Sequence, residues 1–437
     1  MRTRSAGVLL LLALLLSTRV GAENWPHWRG PFLNGSTTET GLPTTWSKTE
    51  NVAWVTPMPG PGSSTPIVWG DRVFVTSVED KSKMLVAICV DAKDGKVLWS
   101  QRVAKERQFR NNNGAAPSAV TDGKMVVFAF GTGDLVAFDF NGEVLWNRNL
   151  EVDFGEIVLQ YGYSSSPLLY KGKLYMMIMQ SQDPNAWGRK SDRKGPLDSW
   201  LLAIDPKNGE YLWKEKRNTD AGEEAPESYN TPMLCEYPDR AEVIMVGGEY
   251  ATGHDAETGK EVWRWEFTPH NREIWQRTVP STVCHEGLIY FARPQHRALY
   301  ALKAGGKGKL GDDLLAWQYT EATPDVITSL VYKGRLYSMN DKTRDMVCHD
   351  LKTGKVIWRE KLGLGDVVRA SPTGADGKVY LINQAGDVVV LEAGDQFKVV
   401  SRIRMAEAPV KSSIAAANGK LFIRTAKNLY CIAGAGK

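Results

Sequence analysis

Apolar and polar positions alternate through most of the chain in short runs broken by glycine and aspartate, the period of two that marks half-buried strands. Two phrases recur. One ends in tryptophan: DAKDGKVLW (91–99), DFNGEVLW (139–146), DPKNGEYLW (205–213), DAETGKEVW (255–263) and DLKTGKVIW (350–358). In each, an acid ends one strand, a glycine able to take positive φ closes the turn, and an apolar pair leads to tryptophan, which is the pattern of a β-hairpin. The other phrase comes before it: SSTPIVWGDRVFV (63–75), AAPSAVTDGKMVVF (115–128), SSSPLLYKGKLYMM (164–177), YNTPMLCEYPDRAEVIMV (229–246), PSTVCHEGLIYF (280–291), TSLVYKGRLYSM (328–339), ASPTGADGKVYLI (370–382) and SSIAAANGKLFI (412–423). Each reads as a short apolar strand, a turn and a longer strand rich in Val, Ile, Tyr and Phe. Joined, the two phrases make four antiparallel strands, a unit that cannot bury its own apolar faces and needs copies of itself as neighbours.

The count predicts an all-β fold, an eight-bladed β-propeller over residues 51–437. Eight opening phrases are present, but the last, at 412–434, lacks a closing tryptophan strand, while NVAWVTPMP (51–59) has the tryptophan and no strands before it. Residues 51–58 are therefore expected to complete the blade begun at 412, so that the ring closes by pairing the N- and C-terminal strands and leaves no sheet edge open. Two repeats depart from the pattern. Repeat five carries LKAGGKGKLGDDLLAW (302–317) in place of the hairpin, and repeat seven has LEAGDQFKVV (391–400), with Val400 where tryptophan is expected. Repeat three holds the longest insertion, residues 180–200, which reads as a polar loop in which Trp187 has few packing contacts.

Composition changes the picture at the N-terminus. A basic MRTRS, an apolar AGVLLLLALLLS and a Val20-Gly21-Ala22 cleavage pattern read as a signal peptide over residues 1–22, which implies export to the periplasm or the extracellular space. The apolar run is short for a membrane span, and none is expected later in the chain. Residues 23–50 form an N-terminal leader before the propeller. Taking Arg2, Arg4 and Arg19 from the 54 basic residues leaves 51 against 50 acids, so the mature chain is nearly neutral. Its basic residues are dispersed, which argues against nucleic acid as a partner. Cys89, Cys348 and Cys431 fall two places before the hairpin acid or its equivalent, where other repeats have Ala137, Ala203 and Gly253, and read as small buried fillers. Five free thiols are expected, with a Cys235 to Cys284 bridge as the alternative.

Candidate chemistry is sparse. GTGDL (131–135) lies between strands rather than before a helix and reads as a turn. His254, His285 and His349 show no metal-ligand spacing, so no metal site is assigned, and no catalytic residue is assigned either. Topology nominates a binding site, because residues entering the innermost strands converge on one mouth of the channel. These are Arg110, Asn112, Asn113, Tyr163, Ser164, Tyr229, Asn230, Arg277, Asp325, Arg369 and Lys411. With four bases and one acid, the mouth is expected to be positive and to suit a small anionic or saccharide ligand.

The two phrases together resemble the pyrroloquinoline quinone (PQQ)-like propeller repeat, and the resemblance covers nearly the whole mature chain. It implies that Trp54, Trp99, Trp146, Trp213, Trp263 (or Trp265), Trp317 and Trp358 are docking tryptophans wedged between blades. The opening WPHWRGPFLNG (25–35) also looks like the leader of exported bacterial proteins with this repeat. Two functions are found among relatives of this kind: PQQ- and calcium-dependent alcohol or sugar oxidoreductases, and BamB-type binding and scaffold propellers of the cell envelope. The chain lacks the adjacent cysteine pair and the long inserts of the oxidoreductases, and it has no lipid-anchor cysteine. The expectation is a monomeric, noncatalytic binding or scaffold propeller with an envelope protein partner or a small ligand. A PQQ-dependent oxidoreductase is the alternative.

Overall fold

The computed structural model describes residues 23–190, 192, 194–267 and 277–434. The expected signal peptide lies outside them. Eight antiparallel sheets form the blades of a propeller. Blade one runs in order through Ile67–Trp69, Arg72–Val78, Met84–Asp91 and Val97–Lys105. The next six blades extend from Val120–Thr121 to Val144–Asn149, Leu168–Tyr170 to Tyr211–Lys216, Met233–Glu236 to Glu261–Glu266, Val283–His285 to Leu315–Tyr319, Leu330–Tyr332 to Val356–Lys361 and Thr373–Ala375 to Val399–Arg404. Blade eight joins both termini: Val52–Pro57 pairs antiparallel with Asn428–Ile432, outside Lys420–Arg424 and Ala415–Ala417. The middle strands of each blade are buried on both faces because a neighbouring blade covers each. The outermost strands alternate buried and exposed positions.

The innermost strands are short and touch one another around the channel. What joins them is a repeated hydroxyl. Two residues before each inner strand stands a Ser or Thr, and the backbone N–H of each donates to the hydroxyl of its counterpart in the next blade. Thr65 N donates to Ser118 Oγ at 2.9 Å, Ser118 N to Ser166 Oγ at 3.0 Å, Ser166 N to Thr231 Oγ1 at 3.1 Å and Thr231 N to Ser281 Oγ at 2.9 Å. Ser281 N continues to Thr328 Oγ1 at 2.9 Å, Thr328 N to Ser371 Oγ at 3.1 Å, Ser371 N to Ser413 Oγ at 3.0 Å, and Ser413 N returns to Thr65 Oγ1 at 3.2 Å. The belt is closed, and all eight residues are buried.

Tryptophans hold the outer part of most seams. Trp54, Trp99, Trp146, Trp317 and Trp358 donate their indole N–H to carbonyls of the next blade, those of Ala92, Phe140, Pro206, Leu351 and Gly394, at 2.7 to 3.1 Å. The hairpin glycine of the receiving blade lies under the ring. At Gly142 φ is +88° and an added Cβ would stand 2.7 Å from Trp99 Cγ, so both the conformation and the space call for glycine. Gly259 lies under Trp213 in the same way, although the Trp213 N–H has no partner among the described residues.

Two seams differ from the expected pattern. Trp263 occupies the docking register opposite Gly253 but donates to Glu242 of its own blade at 2.7 Å. Trp265 reaches blade five instead, packing on Phe291 and Tyr300 with its N–H on Asp312. The cause is the missing hairpin of repeat five: its insert turns back, and Gly308–Lys309 adds a fifth, parallel strand to blade four. In blade seven the residue in the tryptophan register is Ser401, opposite Val390, and not Val400, because a bulge comes just before it and leaves Val400 on the exposed side. The Ser401 hydroxyl donates to Thr44 O of the leader, and Trp46, two residues on, is buried in an apolar cluster that takes in residues of blades seven, eight, one and two. The leader thus meets blade seven at the position where the other repeats carry tryptophan.

Three predictions follow from this architecture. A chain lacking residues 51–58 should aggregate, because the Asn428–Ile432 edge would be left unpaired; a soluble monomer that melts like the parent would count against the pairing. Trp358→Ala should lose about 3–5 kcal/mol in urea unfolding. Ser166→Ala, which strands the buried Ser118 N–H, should cost about 1–3 kcal/mol, and Ser166→Thr, which keeps the acceptor, should cost clearly less.

Candidate functional site

The leader crosses one end of the channel. Trp25 exchanges two backbone hydrogen bonds with Val68 of blade one, and Thr121 N of blade two donates to Pro26 O at 3.1 Å. On the opposite side of the ring Val331 N of blade six donates to Asn34 O, while Thr37 N and Gly35 O bond Gly374 of blade seven. Between them Arg29 is fully buried, with its guanidinium on the carbonyls of Asn34, Ser329 and Pro372 at 3.0 to 3.1 Å. Burial pushes its pKa down to about 9, so the side chain stays charged at neutral pH. With this end closed, the channel is a cup. Its cavity of about 800 Å³ has the Trp28 side chain of the leader in its wall, all eight belt residues around it and polar groups at the rim.

Of the residues nominated from topology, Asn112, Asn113, Ser164, Tyr229, Arg277, Arg369 and Lys411 line this cavity. The others are placed elsewhere. Tyr163 turns into the core, and its hydroxyl donates to Met177 O at 2.9 Å. Asn230 is buried with its amide on Val246 O at 2.7 Å. Arg110 is exposed and off the cavity wall. Asp325 stands behind Arg277 and holds it bidentately at 3.0 and 3.3 Å. Strand polarity explains the misses: a residue just ahead of an inner strand points into the channel or into the seam according to its phase, and the phase differs among these positions.

The expected surplus of positive charge is largely cancelled. Arg277 also lies 3.7 Å from Glu224, and Arg369 lies 3.4 Å from Asp341, whose carboxylate further accepts from Asp325 N at 2.9 Å. Lys411 differs: its Nζ donates to Asn111 O at 2.8 Å, and no carboxylate among the described residues lies within ion-pair distance. Burial, and then the nearby Arg369, lower its pKa. It is the rim cation best placed to take an anionic partner.

The insertion of repeat three is tied to this rim. Glu227 is fully buried and accepts from Trp187 Nε1, from the Tyr229 hydroxyl and from Gln160 N. Trp187, with φ at +63°, is therefore a half-buried anchor for the loop and not the weakly packed residue the sequence suggested. Burial, only partly offset by these donors, pushes the Glu227 carboxyl up to about 7. Since Tyr229 lines the cavity, the loop and the cup share one hydrogen-bonded junction.

The residues can be compared with the demands of PQQ and calcium. Arg369 and Lys411 suit the carboxylates of an organic anion, but calcium requires several oxygen ligands, usually carboxylates among them. No Asp, Glu or His among the described residues lines the cavity. His296, Asp325 and Asp341 do converge within 4.8 Å of one another, yet both acids are engaged by Arg277 and Arg369. The site fits an anion and does not fit the PQQ–calcium pair. Sequence reasoning missed the belt, Tyr161, Gln384 and Trp28 in this wall. The Ser or Thr repeated at a constant offset before each inner strand was the available signal for the belt.

Comparisons with known proteins agree with this architecture. BamB from Moraxella catarrhalis superposes with a TM-score of 0.57 at 13% identity, covering 88% of this chain and 99% of that one. Quinohemoprotein alcohol dehydrogenase from Comamonas testosteroni gives 0.64 at 11% identity, covering 95% and 81%. At such identities the likeness is one of fold. A polyvinylalcohol dehydrogenase from a Pseudomonas species is 25% identical over 250 residues, which is 55% of this chain but only 31% of that protein's length. The profile of one family, described as outer membrane protein assembly factor BamB, matches residues 35–182, 90–325 and 311–432. On that match, which takes in most of the chain, the protein belongs to this BamB family of propellers.

Proposed function

We propose that the protein is a noncatalytic binding propeller of the cell envelope that holds a small anionic ligand, an acidic saccharide above all, in the cup beside Lys411 and Arg369. The observation that carries this reading is the composition of the wall: hydroxyls, amides, two tyrosines, a tryptophan, Arg277, Arg369 and Lys411, with no carboxylate or imidazole among the described residues. Such a wall offers donors to an anion and hydroxyl partners to a sugar, and places no acid–base pair beside them. The tryptophan and tyrosine rings add apolar faces on which a sugar ring can rest.

An envelope setting accords with the family, and no helix among the described residues is long and apolar enough to cross a membrane. A protein partner belongs to the same reading. Leu98, Leu145 and Leu212 lie exposed at equivalent places on the outer strands of blades one to three, a row of aliphatic side chains suited to an apolar contact.

Calorimetric titration with a uronic acid, a sugar phosphate and the matching neutral sugar tests the ligand. The acidic sugars should bind more tightly than the neutral one and weaken as salt is raised. Lys411→Met, which keeps the side-chain stem and orphans no carboxylate, should weaken acidic-sugar binding about 10- to 100-fold, the scale of one charged hydrogen bond. Equal binding of neutral and acidic sugars would overturn the anionic part of the reading. Steady dye reduction with an alcohol or sugar after addition of PQQ and calcium would replace it with an oxidoreductase.

A further inference from the structure

At the seam between blades four and five hairpin docking is altered, since Trp263 donates within its own blade, blade five has no receiving hairpin and Trp265 packs there instead. Two thiols meet at this seam. Cys235 lies in Met233–Glu236, the first strand of blade four, and Cys284 lies in Val283–His285, the first strand of blade five. These strands pack against each other, and the Thr231 N to Ser281 Oγ bond sets their register just upstream. The two cysteines are neighbours across the seam, both on the wall of one cleft. A separate cleft of about 210 Å³, lined by both cysteines with Phe32, Glu236 and His285, opens onto the pair. The other three cysteines are placed differently: Cys89, Cys348 and Cys431 are each buried opposite the tryptophan of their own blade.

We propose that Cys235 and Cys284 form a dithiol site that reacts with disulfide-bearing oxidants and closes into a disulfide, stapling blade four to blade five. The neighbouring Cys284 thiol holds the Cys235 thiol below its usual range, whereas burial raises that of Cys284, so Cys235 is the attacking thiolate. Its sulfur attacks one sulfur of the oxidant, a mixed disulfide forms, and the leaving thiolate takes up the proton that Cys235 gave up. Cys284 then loses its proton and attacks the Cys235 sulfur, expelling the second thiolate, which is protonated in turn. Two protein thiols are oxidised by two electrons, and one disulfide is reduced to two thiols. The staple would bind the seam where hairpin docking is altered, and the inference stands independently of any ligand in the cup.

The test uses the purified chain treated with oxidised glutathione, then denatured, alkylated with a maleimide and mapped by mass spectrometry. Of the five free thiols, Cys235 and Cys284 should become unreactive and appear as one cross-linked peptide, leaving three alkylated. The melting midpoint of the oxidised chain should rise by several degrees over the reduced chain. Cys284→Ser should retain one glutathione on Cys235, because no second thiol can expel it. Five alkylated thiols after treatment, or glutathione left on either cysteine of the parent chain without a cross-link, would overturn the proposal. The parent chain alone decides the matter should the variant not fold.

Discussion

A ring of eight blades is closed only if every seam between inner strands is bonded, and here a single interaction repeated eight times does this: a backbone N–H donating to the hydroxyl of the next blade's Ser or Thr. The inner strands are too short to form ladders with their neighbours, so their leading amides would otherwise be buried without partners, each at a cost of about 1–3 kcal/mol. Because each hydroxyl accepts from one side while its own backbone donates to the other, the belt has no end groups. Its position also shapes the site, since the same eight residues surround the cup.

The outer seams are less uniform, and their exceptions show what a docking tryptophan contributes. Where the hairpin is present, the indole spans the gap and its N–H finds a carbonyl of the next blade. Where it is absent, the chain brings other material: Trp265 and the insert of repeat five at one seam, and the leader, bonded to Ser401 through Thr44, at another. At the Trp265 seam aromatic volume is kept although the hairpin is lost, and a void between two sheets there would forfeit dispersion contacts.

Buried arginines do similar work deeper inside. Arg29, Arg217 and Arg424 are almost wholly enclosed and bond backbone carbonyls rather than carboxylates; those of Arg217 are Gly247 O and Tyr250 O, both at 2.8 Å. Burial lowers each to about 9, which leaves all three protonated at neutral pH. Arg29 matters most for the shape of the channel, because it fixes the leader across one end and so turns a pore into a cup.

Period-two patterning, the turn glycines and the tryptophan phrase were enough to determine the blades, their number and the pairing of residues 51–58 with the last one, because strand registers are set by local alternation and turn chemistry. Membership of the cup was only partly legible. Arg369 and Lys411 could be placed there from topology, but Tyr163 and Asn230 point into the seams, and the acids that balance Arg277 and Arg369 come from segments distant in sequence. The role of residues 23–50 was not legible at all, since WPHWRG carries no strand period and its partners are spread over blades one, two, six and seven. Local pattern determines which strands form and how they pair; the direction of each side chain at a seam, the partner of each charge and the closing of one end of the channel depend on contacts between residues up to several hundred positions apart, and only the folded ring brings those together.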